Sequence, residues 1–121
     1  MISVILLILA GIFNACMDTL KTHYSNSIFA RWGGQHWINP SLSWANKWKY
    51  KSKILDLIMS TIFVCITDFW HFCKFLMLSL IMASIIFYSP LINRGIDFLI
   101  LYCSFTIPFE IFYSNILIKN K

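Results

Sequence analysis

Apolar residues run almost unbroken through three stretches of the chain, and polar residues gather between them. The first stretch, residues 2–20, holds few polar side chains: Ser3, Asn14, Asp18 and Thr19. A helix that crosses a bilayer needs about 20 predominantly apolar residues, so this pattern predicts a first transmembrane helix. The second stretch, residues 54–88, is 35 residues long and has no Pro or Gly. A straight helix of that length would measure about 52 Å, against a hydrocarbon core of about 30 Å. The pattern therefore predicts one long helix, with 67–88 crossing and 54–66 projecting beyond the core or packing on the preceding loop. Ser89-Pro90 ends it, because the residue before proline avoids the helical region. After a turn at 91–95, residues 96–118 predict a third helix with a kink at Pro108.

The intervening stretch, residues 21–53, reads differently. It contains Gly33-Gly34, Asn39-Pro40, the tryptophans Trp32, Trp37, Trp44 and Trp48, and six of the ten Lys and Arg residues. These features predict a loop with short helical pieces at the membrane surface, where amphipathic indole rings settle at headgroup depth. Pro40 to Trp44 starts a short interfacial helix in this reading. Lys47, Lys49, Lys51 and Lys53 alternate toward the second helix. The loop has the turn signals of Gly pairs but no phosphate-binding motif, and His36 reads as a loop histidine.

Composition carries the membrane reading further. Charged residues make up 12% of the chain and hydrophobic ones 59%, with a mean hydropathy of +0.70. Soluble domains carry about 25% charged residues, and a chain this short cannot hide so much apolar surface from water. The expected fold is all-α: a single membrane domain, residues 1–121, with three transmembrane helices and a Trp/Lys-rich interfacial loop. The surplus apolar surface then meets the lipid bilayer, a second copy or other membrane subunits. The net charge of +5 is explained by topology, so no nucleic acid partner is expected. Lys and Arg favour the cytoplasmic side. The loop and the tail residues Lys119 and Lys121 lie on one side of the membrane, with Arg94 alone on the other. A cell-membrane location follows, N-terminus outside and C-terminus cytoplasmic. The first segment lacks a basic n-region and a small-x-small cleavage site, and reads as a retained span. Cys16, Cys65, Cys73 and Cys103 sit in apolar segments without metal or disulfide spacing and read as small buried hydrophobes.

The candidate chemistry lies in the ionisable residues at membrane depth. In TDFWHFCK (67–74), Asp68, His71 and Lys74 are spaced by three and share one side of a helix. Asp18 stands near the inner end of the first helix, with His23 just beyond it. Glu110 lies nine residues before Lys119, about 13 Å along a helix. Asp18, Asp68, His71, Lys74 and Glu110 thus fall in the same leaflet, one or more from each helix. Intramembrane charge is costly, so such residues turn inward and find partners. Three readings are open. In the first the cluster fixes helix packing, with Lys74 neutralising a carboxylate, and the role is structural or interactional. In the second, Asp18, His23, Asp68, His71 and Glu110 hold a divalent metal (zinc, manganese or iron) that activates water for hydrolysis of a lipid-linked substrate. In the third the cluster conducts protons or ions in an oligomer.

The segments MDTLKTHYSNSIF (17–29), NPSLSWANKWK (39–49), TDFWHFCK (67–74) and PFEIFY (108–113) together resemble a group of small, uncharacterised multi-pass membrane proteins of Bacteroidota. The resemblance covers most of the chain in order. It implies a membrane protein and carries no activity with it.

Overall fold

The computed structural model describes residues 1–119; Lys121, counted above toward the cytoplasmic charge, lies outside the described residues. Three helices are long and apolar enough to cross a membrane. They are α1 (Ile2–Thr22), α5 (Phe69–Ile86), and α6 (Arg94–Ile111) with the π-helical turn Phe112–Leu117 that continues it. The 21 residues of α1 span about 31 Å, which matches the hydrocarbon thickness.

Helix α1 is the central element. Both α5 and α6 pack along it, while they scarcely touch one another. Near its start, the Ser3 hydroxyl donates to the Ser84 carbonyl close to the end of α5, at 2.9 Å, so α1 and α5 run antiparallel. At its middle, Gly11 lies against the backbone of Phe105 in α6: an added Cβ would stand 2.2 Å from the Phe105 carbonyl oxygen. Only glycine allows two helix backbones to come this close. Ala10 and Ala15, both fully buried, extend the small-residue face, as membrane helix interfaces favour. About a third of the most apolar window of α1 is buried, against 11% for α5 and 6% for α6. The outer faces of α5 and α6 are therefore apolar and unshielded by protein, as suits lipid-facing surfaces.

The buried core sits at one end of this arrangement. The loop folds into a lobe of short turns, with α2 (Gln35–Ile38) and α3 (Pro40–Ser43) among them. Asn39 caps α3 by accepting from the Ser41 amide at 3.0 Å, with Pro40 at the first helical position, the place where its missing N–H costs nothing. Gly34 takes φ +78 before α2, a left-handed turn position suited to glycine. Phe29 and Ile38 from the lobe join Ala15 and Leu20 of α1 and Leu117 after α6 in one cluster. Full burial of a side chain such as Phe29 is worth about 1.5–3 kcal/mol. The chain end is stitched on by the Ser27–Ile118 bridge and by the Lys119 amide, which donates to the Asn26 carbonyl at 2.9 Å.

The expected long helix over 54–88 is two helices. A short helix, α4 (Lys53–Thr61), precedes a non-α break at residues 62–68, and α5 starts only at Phe69. No Pro or Gly marks the break. Its causes are a run rich in β-branched residues (Thr61, Ile62, Val64, Ile66, Thr67), which are weak helix formers, and Asp68, which is far better placed as an N-cap than inside a helix. At nine residues α4 is too short to cross. It leaves Ile54, Leu55 and Leu57 exposed, while Asp56 is half-buried and accepts from the Tyr50 amide at 3.2 Å. Such an amphipathic helix suits the interface plane. Pro108 is accommodated within α6, and the widening into the π turn follows four residues later.

Candidate functional site

TDFWHFCK is the start of a helix. Asp68 is extended (φ −155, ψ 161) and is the N-cap of α5. Its Oδ1 accepts from the His71 amide at 2.9 Å, and its Oδ2 accepts from His71 Nδ1 at 2.7 Å and from the Thr67 hydroxyl at 3.3 Å. An ionised carboxylate can only accept, so Nδ1 is the donor in this pair. Asp68 is 4% exposed, and all of its partners come from its own segment. The break that precedes it is satisfied by the lobe instead. Trp37 Nε1 donates to the Ile66 carbonyl at 3.1 Å, and Asn46 Nδ2 donates to the carbonyls of Thr67 and His36, each at 2.9 Å. Trp37 also packs on Phe69 and Phe72, with ring centroids 5.3 and 5.6 Å away. Trp37 thus docks the lobe on the start of α5, whereas Trp32, Trp44 and Trp48 are exposed.

The other members of the expected cluster go elsewhere. Lys74 is exposed and lies over the Trp70 ring at 5.4 Å; among the described residues it pairs with no carboxylate within 4.0 Å. His23 Nδ1 faces the Tyr113 hydroxyl at 3.0 Å and the Thr22 hydroxyl at 2.7 Å, tying α1 to the turn after α6. Glu110 is exposed and accepts from Ser114 one helical turn on. Asp18 is half-buried; its backbone carbonyl accepts from the Thr22 hydroxyl at 2.6 Å, and among the described residues its carboxylate has no hydrogen-bond partner. Among the described residues no three His, Cys, Asp or Glu side chains converge as metal ligands would. The expected five-ligand set is thus not assembled. Depth along the membrane normal placed these residues at one level, but α5 and α6 lie on different sides of α1, so Glu110 and the Asp68–His71 pair do not meet.

One carboxylate missed from sequence is the best satisfied. Asp97, in the first turns of α6, is 1% exposed. Its carboxylate accepts from the Tyr88 hydroxyl at 2.7 Å and from the amides of Leu91 and Ile92 at 3.0 and 2.9 Å. It folds the turn between α5 and α6 around itself, beside the cap that Asn93 gives to the Ile96 amide at 2.9 Å. The bond to this carboxylate pushes the Tyr88 phenol above its ordinary value. The signal for this site was available in Asn93 and Asp97 following Pro90, an N-cap and a first-turn acid. In the lobe, burial raises the Tyr24 phenol, against the bond to Gln35 that lowers it.

Beside the Asp68–His71 pair lies a cavity of about 380 Å³, walled by Lys21 at the end of α1, Trp44 and Lys47 from the lobe, and Asp68, Trp70 and His71 from the start of α5. A second cavity, of about 230 Å³, shares His71 and continues past Lys74 to Phe75 and Leu78 along α5.

These features define an all-α protein with three helices long and apolar enough to cross a membrane, joined at one end by an aromatic, lysine-rich lobe. No protein-family model, curated protein or solved structure matches the chain.

Proposed function

We propose that the chain is a small multi-pass protein of the cell membrane with a structural or interaction role. Its N-terminus lies outside and its C-terminus and basic lobe on the cytoplasmic face. One observation carries this reading: Asp68 and His71, the one ion pair within 4.0 Å among the described residues, are engaged with each other and with the first turn of α5. Their work is to start a span at the point where the lobe docks on it. The excess of Lys and Arg between residues 21 and 53 over the single Arg94 turn supports the orientation. The resemblance to small multi-pass proteins of Bacteroidota supports the class. The unshielded apolar faces of α5 and α6 meet lipid, a second copy or other membrane subunits.

The test is limited trypsin digestion of the full chain in sealed vesicles. Cleavage among Lys47–Lys53 is expected from the cytoplasmic side alone. Asp68→Ala removes the cap and leaves the imidazole unpaired, a loss of about 1–3 kcal/mol that should expose the lobe to faster cleavage. Asp68→Asn keeps an N-cap and should lie between. An Asp68→Ala variant with unchanged cleavage and unfolding overturns the structural role; cleavage from the outer face overturns the orientation.

A further inference from the structure

We infer that the two cavities that meet at His71 form a binding site for an anionic, phosphate-bearing lipid. The headgroup lies between Lys21 and Lys47, and an acyl chain follows α5. The inference rests on the membrane reading above and goes beyond it to a ligand. The first cavity occupies the level where α1 ends and α5 begins, which is headgroup depth for two helices that fill the hydrocarbon core. Its volume of about 380 Å³ lies within the range of small-ligand sites. Two lysines from separate elements wall it, Lys47 with its ammonium 5.7 Å from the Trp48 ring, and its one acidic wall residue, Asp68, has both oxygens occupied by donors. The remaining field is positive and favours an anion. Trp44, 62% exposed, and Trp70 supply the amphipathic ring surfaces found at that depth.

The second cavity supplies what a free anion would not need. It begins at His71, passes between the 62–65 segment and α5, and reaches Phe75 and Leu78, both exposed toward the lipid-facing side. Headgroup-sized space walled by two lysines, beside a mainly apolar cavity along a span, suits a phospholipid. His71 lines both cavities, its Nδ1 held by Asp68 at 2.7 Å.

The experiment is native mass spectrometry of the full chain in neutral detergent micelles, titrated separately with phosphatidylglycerol, phosphatidylcholine and inorganic phosphate. One saturable phosphatidylglycerol adduct is expected, about tenfold tighter than phosphatidylcholine. Lys21→Ala/Lys47→Ala should weaken it about tenfold, whereas Lys49→Ala/Lys51→Ala, the same loss of charge outside the cavity, should change it less than about twofold. Both pairs keep Asp68, His71 and the buried lobe core, so folding is preserved. Equal losses in the two pairs overturn the site, as does equal affinity for the two lipids. Displacement of the adduct by millimolar inorganic phosphate reassigns the cavity to a free anion and overturns the lipid. Retention of the chain in carbonate-washed vesicles is read separately, so failure of the membrane reading is distinguished from failure of the lipid site.

Discussion

Replacing Gly11 with alanine places a Cβ 2.2 Å from the Phe105 carbonyl oxygen and 3.1 Å from its carbon. Both are backbone atoms of α6, so no side chain can swing away. The α1 and α6 axes must part by about 1 Å to restore ordinary contact, and the dispersion energy of the flanking small-residue seam falls with that gap. Overpacking of this kind costs about 1–3 kcal/mol, while alanine in a helix gains up to about 1 kcal/mol over glycine. The net expectation is a loss of about 1–2 kcal/mol. Gly95→Ala is the internal control. It is the same substitution in a helix, but its new Cβ meets only Asn93 Oδ1 at 3.6 Å, an ordinary contact. It should gain about 0.4–1 kcal/mol by restricting the unfolded chain. Reversible unfolding of the three proteins, followed by far-ultraviolet circular dichroism as SDS replaces neutral detergent, reads both numbers. Gly11→Ala moving in the same direction as Gly95→Ala would refute the direct backbone contact between α1 and α6.

Asp97→Ala should strip the α5–α6 turn of three donors' partner and destabilise by about 2–3 kcal/mol in the same unfolding assay; a change below about 0.5 kcal/mol contradicts the buried acceptor role. The Tyr88 phenol is raised by its bond to Asp97, so the stability it lends is full below the ordinary phenol value of 10.0 and disappears as pH rises through the raised value. Wild type should therefore lose midpoint stability above about pH 10, and Tyr88→Phe should flatten that decline. Cys73 on α5 is fully buried and Cys103 on α6 is exposed, so a maleimide added in neutral detergent should label Cys103 and spare Cys73; the reverse would misplace α5 on α1. Elemental analysis of purified wild type and His71→Ala should give equal, substoichiometric metal, and a stoichiometric metal lost in the variant would restore the hydrolase reading.

The three spans, the lysine-rich lobe and the end of the second crossing near Ser89-Pro90 were legible in the sequence. A hydrocarbon solvent asks only for length and apolarity, and both are local properties. The helices long and apolar enough to cross, Ile2–Thr22, Phe69–Ile86 and Arg94–Leu117, differ from the expected ones chiefly at the start of the second. There Asp68 and His71 had the spacing of an N-cap and its third helical residue, a local signal submerged in the apolar run of 54–88. Only the tertiary structure decided which ionisable residues meet. Spacing along one helix fixes which side chains share its face, but the rotation and placement of that helix against its neighbours depend on distant contacts. Gly11 seats α6 on one side of α1, Ser3 and Ser84 tie α5 to it, and Glu110 is left apart from Asp68. The lobe shows the same division: its tryptophans were read by composition, but Trp37 is drawn inward because the Ile66 carbonyl at the helix break needs a donor. A backbone group needing a partner near a membrane takes one from wherever the fold brings it, and that choice is written in no single segment.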